Sequence, residues 1–195
     1  VAVNRKLLVE NSTMVQENIL GRWSPRAFSE EKISREELNT LITAASWAAS
    51  ANNGQPWRFV YAFKGTPEFE KLLGTLAEGN QIWAKNAAVL MGVFGRTRHE
   101  YKERENPTWM YEIGLAMGNL SIQAHYMGIY LHQMGGFSKE AMAKESDMPE
   151  AFEPVVAVAI GRMGDASLLE EPLKSRETAP RTRKEVEEIS FVGRF

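Results

Sequence analysis

The sequence predicts an α+β fold, a mixed central sheet flanked by helices within one domain covering residues 1–195. Three observations lead to it. Segments with apolar residues at helical spacing alternate with short apolar runs of strand length. No G-x-G-x-x-G follows any strand-like run, so the alternation is not that of a dinucleotide-binding doubly wound sheet. No repeat, low-complexity tract or Gly/Ser linker divides a chain that is long enough to bury a sizeable core.

Residues 14–20 read as a first short helix that ends just before Arg22. Ser34, Arg35, Glu36 and Glu37 form a capping box, with Leu38, Leu41, Ile42 and Ala45 following at helical spacing, so a helix should run from there to 49–50. A polar turn then leads into a strand over 58–63. A helix near 67–76 and a buried strand over 87–94 come next. The stretch 96–107 is charged and loop-like, and Trp83, Tyr101 and Trp109 are candidates to line an aromatic pocket near it. Residues 108–127 are the longest helical candidate, apolar on most sides, with Gly114 and Gly118 four apart. Glycine costs about 1 kcal/mol against alanine inside a helix, so two on one strip point to close approach by another helix. Strands over 129–134 and 155–160 complete the sheet, with a helix capped by Ser138 between them. From residue 164 the chain turns charged, with Pro172 and Pro180 and few apolar positions. Such a tail cannot fold alone and should act as an extended arm. Its last residues, E-I-S-F-V-G-R-F at 188–195, regain strand character.

Composition removes several function classes. Hydrophobic residues make up 44% and charged residues 25%, ordinary values for a globular protein. A formal net charge of −2, with no long basic block, speaks against a nucleic-acid partner. The absence of cysteine excludes disulfides, thiolate nucleophiles and Cys-ligated metals. His99, His125 and His132 lack metal-site spacing, so no metal is expected. G-x-S-x-G and the phosphate-binding G-x-x-x-x-G-K-[ST] are both missing. No apolar run approaches the roughly 18–20 residues that span a bilayer. Residues 1–10, V-A-V-N-R-K-L-L-V-E, contain no signal-peptide core. The expectation is a cytoplasmic protein without a membrane partner.

Four short motifs carry candidate chemistry. In R-W-S-P-R at 22–26, an extended backbone turns Arg22, Ser24 and Arg26 to one side. Two guanidiniums with a hydroxyl between them suit a phosphate monoester, and Pro25 biases Ser24 toward extended geometry. Alone, the triplet reads first as a solvated basic turn, because such triplets are common. N-N-G-Q-P-W-R-F at 52–59 sets donor–acceptor side chains in a turn stiffened by Pro56 and Trp57, as recognition of a heterocycle with mixed edges requires. H-Q-M-G-G-F-S at 132–138 lets bare backbone N–H groups approach a ligand. R-T-R-K at 181–184 repeats the two-apart arginine spacing, and K-S-R at 174–176 competes with it.

In this order and spacing, the motifs resemble those of the nitroreductase family, from about residue 20 to the end of the chain. The resemblance implies a three-layer α+β fold in an intertwined homodimer, with one FMN at each of two subunit interfaces. It implies cofactor contacts from Arg22, Trp23, Ser24 and Arg26, from Ser50, Ala51, Asn53 and Gln55, and from Met134, Gly135 and Gly136. Arg181 and Arg183 are the preferred basic pair closing on the phosphate. Gly135 matches the turn whose main-chain N–H faces flavin N5, although family members often carry an acidic residue there, so only the backbone role transfers. No protein side chain would be catalytic in its own right. The implied activity is ping-pong hydride transfer from NADH or NADPH, through flavin N5, to a nitroaromatic, quinone or similar electron-poor small molecule. A dehalogenase or enoate-type reductase on the same fold, or a non-catalytic FMN carrier or sensor, is the alternative. The arm 164–195 is implied to reach the partner subunit.

Overall fold

The structure, a computed structural model, describes residues 14–100 and 104–195. The segment 1–10 and Tyr101 lie outside the described residues. Four strands, β1 (Trp57–Phe63), β2 (Val89–Arg96), β3 (Tyr130–Met134) and β4 (Phe152–Gly161), form one sheet in the order β1-β2-β4-β3. Among the described residues every pairing is antiparallel, in place of the expected mixed sheet. Because β4 is antiparallel to both neighbours, β2 and β3 run the same way, joined by a long helix as in a parallel crossover. β4 inserts between them, so no parallel ladder forms.

Side chains alternate across the sheet. Val89, Met91 and Val93 of β2, with Val158 and Ile160 of β4, face a core shared with α2 (Arg35–Ser46) and α5 (Trp109–Tyr126). Leu90 and Phe94, with Ala157 and Ala159, face a second core containing Phe69 and Leu72 of α3 (Pro67–Gly74), Trp83 of α4 (Glu78–Ala84) and Met142 of α6 (Lys139–Glu145). The result is the expected three layers, helices on both sides of the sheet.

The local signals act as read. Ser34 Oγ accepts from Glu37 N–H at 3.1 Å while Glu37 accepts from Ser34 N–H at 2.8 Å, closing the capping box of α2. That helix stops at Ser46, short of the expected 49–50, with Trp47 as its C-cap. α1 is Glu17–Gly21. The expectation did not include α4, a seven-residue helix without a side-chain cap, which is held through buried Trp83 and Ala84. Trp83 is therefore core and lines no aromatic pocket with Trp109, which packs on the other face. The charged stretch folds back on itself: Asn106 N–H donates to Thr97 O at 2.9 Å and His99 N–H to Arg104 O at 2.7 Å.

The tail forms α7 (Leu173–Thr178) and α8 (Val186–Ile189), and residues 188–195 make no strand. Glu185 and Glu188 close a capping box there, satisfying end groups locally where no sheet edge is at hand. Among the described residues no helix is long and apolar enough to cross a membrane.

Candidate functional site

The first and last basic motifs, about 160 positions apart, meet in one cavity. Its volume is about 300 Å³, and it is lined by Arg22, Trp23, Ser24 and Arg26 on one side and by Arg176, Arg181 and Arg183 on the other, with His132 at its base. Residue 22 leaves α1 with φ −51° and ψ 131°, the extended geometry that turns Arg22 and Ser24 together, and Arg22 Nη1 donates to Ser24 Oγ at 3.1 Å. Arg181 holds the two motifs in register: its Nη1 donates to Arg22 O and its Nη2 to Leu20 O, each at 2.7 Å, while its guanidinium lies over the Trp23 ring. Arg181 and Arg183 both line the cavity, whereas of the competing pair Lys174 and Arg176 only Arg176 does.

Gathering five guanidiniums is electrostatically unfavourable without an anion. Burial, and after it the adjacent Arg183 guanidinium, hold Arg22 below the ordinary arginine value. One carboxylate offsets the cluster. Glu177 of α7 is 1% exposed; it accepts from Arg26 N–H at 3.0 Å and from Trp23 Nε1–H at 3.4 Å, and it faces the Arg26 guanidinium at 3.8 Å. The stretch 173–183 thus lies against its own subunit's 20–26 segment.

His132 of β3 packs against Trp83 with the rings tilted at 42° and their centroids 4.5 Å apart, and its Nδ1 is 3.0 Å from Pro25 O. Burial pushes its pKa down to about 4; the Pro25 and Ser24 carbonyls oppose that and Arg26 adds to it. The imidazole is therefore neutral at pH 7, with Nδ1–H donating to Pro25 O. Sequence reasoning missed both Glu177 and His132. His132 opens the H-Q-M-G-G-F-S run and Glu177 follows K-S-R, but neither was given a role there, and chain folding brings them to the arginines.

Arg22 also borders an apolar trough of about 550 Å³ that runs along α5 past Ile19, Gly114, Gly118 and Val155. Nothing lies within 4 Å of a Cβ built on Gly114, Gly118 or Gly135, so these glycines leave open space. Met134, buried at the end of β3, delivers Gly135 and Gly136 beyond it, and Gly136 O accepts from Ala77 N–H and from Asn80 Nδ2, each at 2.9 Å.

The remaining predicted residues stand apart. Ser50–Gln55 lead into β1, at the opposite edge of the sheet from β3, and line neither the cavity nor the trough. Three strand spacings of about 4.8 Å separate those edges, about 14 Å. The loop is tightly determined. Asn52, Asn53 and Gln55 have φ of 51°, 55° and 44°, a left-handed region that Asn tolerates better than most residues. Ser50 Oγ accepts from Gln55 N–H at 3.1 Å, Ala51 N–H donates to Glu112 at 3.2 Å, and Gln55 Nε2 donates to Asn53 Oδ1 at 3.2 Å. The structure therefore assembles the two basic motifs and leaves the polar loop elsewhere on the same subunit.

Comparison with known proteins adds four findings. The nitroreductase family model matches residues 19–73 and 61–162. A solved oxidoreductase containing FMN is 39% identical, superposes with a TM-score of 0.89, and is matched over 98% of this chain and 96% of its own. A nitroreductase family protein of Streptococcus pneumoniae shares the fold at a TM-score of 0.74 and 20% identity, over 90% of this chain and 98% of its own. The FMN reductase (NADPH) of Bacillus subtilis is 26% identical over 168 residues, 77% of this chain and 66% of that protein.

Proposed function

The chain belongs to the nitroreductase family, and from that premise we propose that it is an FMN-dependent oxidoreductase drawing on NADH or NADPH. The observation that carries the reading is the five-arginine cavity opening beside an apolar trough, with Arg22 bordering both. A ligand with a terminal phosphate and a flat apolar ring system matches that pair. FMN has both, and nothing beside the cavity suggests an adenine site for FAD.

FMN held by these residues would supply hydride chemistry between a nicotinamide and an electron-poor acceptor such as a nitroaromatic or quinone. The protein's part is to bind and orient. Arg22, Ser24, Arg26, Arg181 and Arg183, joined by Arg176, receive the phosphate through charge-assisted hydrogen bonds. Trp23 is the shelf on which Arg181 lies. The N–H of Gly135 is the main-chain donor assigned to the ring, in a place where no side chain of its own intrudes.

The trough lacks a wall in one subunit, and that subunit's own Ser50–Gln55 loop does not line it. A second copy of the chain supplies both: its loop, with Ser50, Ala51, Asn53 and Gln55, completes the site, and its surface covers the open glycine strip of α5. Exposed Met110, Tyr111, Tyr126 and Trp47, with Phe191, Val192 and Phe195 of the tail, are the apolar surface such a homodimer would bury. In this reading residues up to 183 finish their own subunit's phosphate cavity, and 184–195 are the part of the arm that crosses to the partner.

The test is the visible spectrum of the purified protein, chromatography of the released cofactor, and sedimentation. Bound FMN, a dimer, and steady turnover of NADH or NADPH with a quinone are the expected results. Release of FAD, or a monomer that holds flavin, overturns the cofactor or the dimer reading respectively. Flavin without turnover identifies a carrier.

A further inference from the structure

Glu112, in the first turn of α5, is 3% exposed, and no salt bridge among the described residues involves it. Its donors are neutral. Oε1 accepts from Ala51 N–H at 3.2 Å and from the Thr108 hydroxyl at 2.6 Å, and Oε2 accepts from Asn106 Nδ2 at 3.2 Å. Asn106, 4% exposed, uses its Oδ1 to accept from Thr108 N–H at 3.1 Å. A carboxyl group buried without a cation is a poor choice for packing alone, and an apolar residue of similar volume would serve stability as well or better. What a satisfied polar network gives is a fixed arrangement.

The arrangement it fixes adds a second tie between two segments whose adjoining residues already pair, Arg96 N–H donating to Pro56 O at 2.9 Å and Trp57 lying opposite Gly95. On one side is the Ser50–Gln55 loop, whose three left-handed residues are not held by their own backbone preferences. On the other is the folded-back 97–106 excursion, closed at its base by Asn106. We propose that Glu112 is a positioning residue that locks the 50–55 loop to the base of the 97–106 excursion, so that both move as one unit. This rests on the reading of 50–55 as a cofactor-contacting loop.

The test compares Glu112→Gln with a double variant that combines Glu112→Gln and Asn106→Asp. In the single variant an amide must face the Asn106 amide, and one hydrogen bond is lost. In the double variant carboxylate and amide exchange places: the introduced amide at position 112 accepts from Ala51 N–H and donates to the introduced carboxylate at position 106, which still accepts from Thr108. Amide hydrogen exchange is measured on FMN-loaded and flavin-free protein, together with steady-state kinetics using benzoquinone as acceptor. Glu112→Gln should speed exchange about tenfold in 50–55 and 97–106 and leave β4 at 155–160 unchanged. It should raise the KM for benzoquinone several-fold more than it lowers kcat, and the double variant should restore both. Unchanged loop exchange in the single variant overturns the proposal. So does an equal rise in β4, which marks a merely structural role, or failure of the exchanged pair to rescue. If the loop loosens as expected but wild-type protein takes up no FMN, the positioning role stands and the cofactor reading falls.

Discussion

Glu177→Ala should unfasten α7 from the phosphate cavity. The Arg26 N–H bond to Glu177 is well formed at 3.0 Å, and a hydrogen bond to a charged group contributes about 1.5–3 kcal/mol. The Trp23 contact at 3.4 Å and the Arg26 ion pair at 3.8 Å are long, and the Arg26 side chain is 24% exposed, so solvent replaces much of what they give. Together they add no more than about 1 kcal/mol. The expected loss is about 3 kcal/mol, roughly a hundredfold in the docking equilibrium of 173–178. Glu177→Gln keeps an acceptor for Arg26 N–H and should cost about 1 kcal/mol. Hydrogen exchange and limited proteolysis of 173–183 read the docking, and a titration with FMN reads the cavity. The alanine variant should expose 173–178 and weaken FMN, because Arg176 leaves the cavity with that helix and the tail is then held by the Arg181 bonds to Leu20 O and Arg22 O. An alanine variant whose tail exchange, stability and FMN affinity all match wild type within about 0.5 kcal/mol would show that the carboxylate does not fasten the tail, and the reasoning fails.

Two further outcomes follow from the same geometry. His132 has its folded pKa depressed to about 4, so the unfolded chain binds the proton first as pH falls. Stability is therefore complete above pH 6.5 and declines between about 6.5 and 4, by on the order of 3 kcal/mol; His132→Gln should flatten that part of the profile in urea titrations. Asn53→Gly should preserve stability and Asn53→Ala should cost about 1 kcal/mol, because only the latter strains a residue at positive φ. Both should weaken FMN binding alike if the side chain contacts the cofactor, and equal affinity in both variants and wild type would remove Asn53 from the site.

Local chemistry was legible in the residues themselves. The Ser34 capping box, the buried β2 strand and the side-by-side placement of Arg22 and Ser24 follow from neighbours within a few positions, and each appears close to where the sequence places it. The family was legible for the same reason, since its motifs are short and backbone-led. Other features needed the tertiary structure, because they depend on contacts between residues far apart in the chain. Insertion of β4 between β2 and β3 turned an expected mixed sheet antiparallel. Packing on the body, through Glu177 and Arg181, drew the tail arginines to Arg22 and placed Arg176 beside them, where the sequence offered a choice between pairs. His132 became a neutral wall of the cavity only through burial against Trp83, and Glu112 gained its partners only because α5 begins beside the Ser50–Gln55 loop. Periodicity and propensity act over a turn or a strand, whereas burial and charge are set by whatever the completed fold brings alongside.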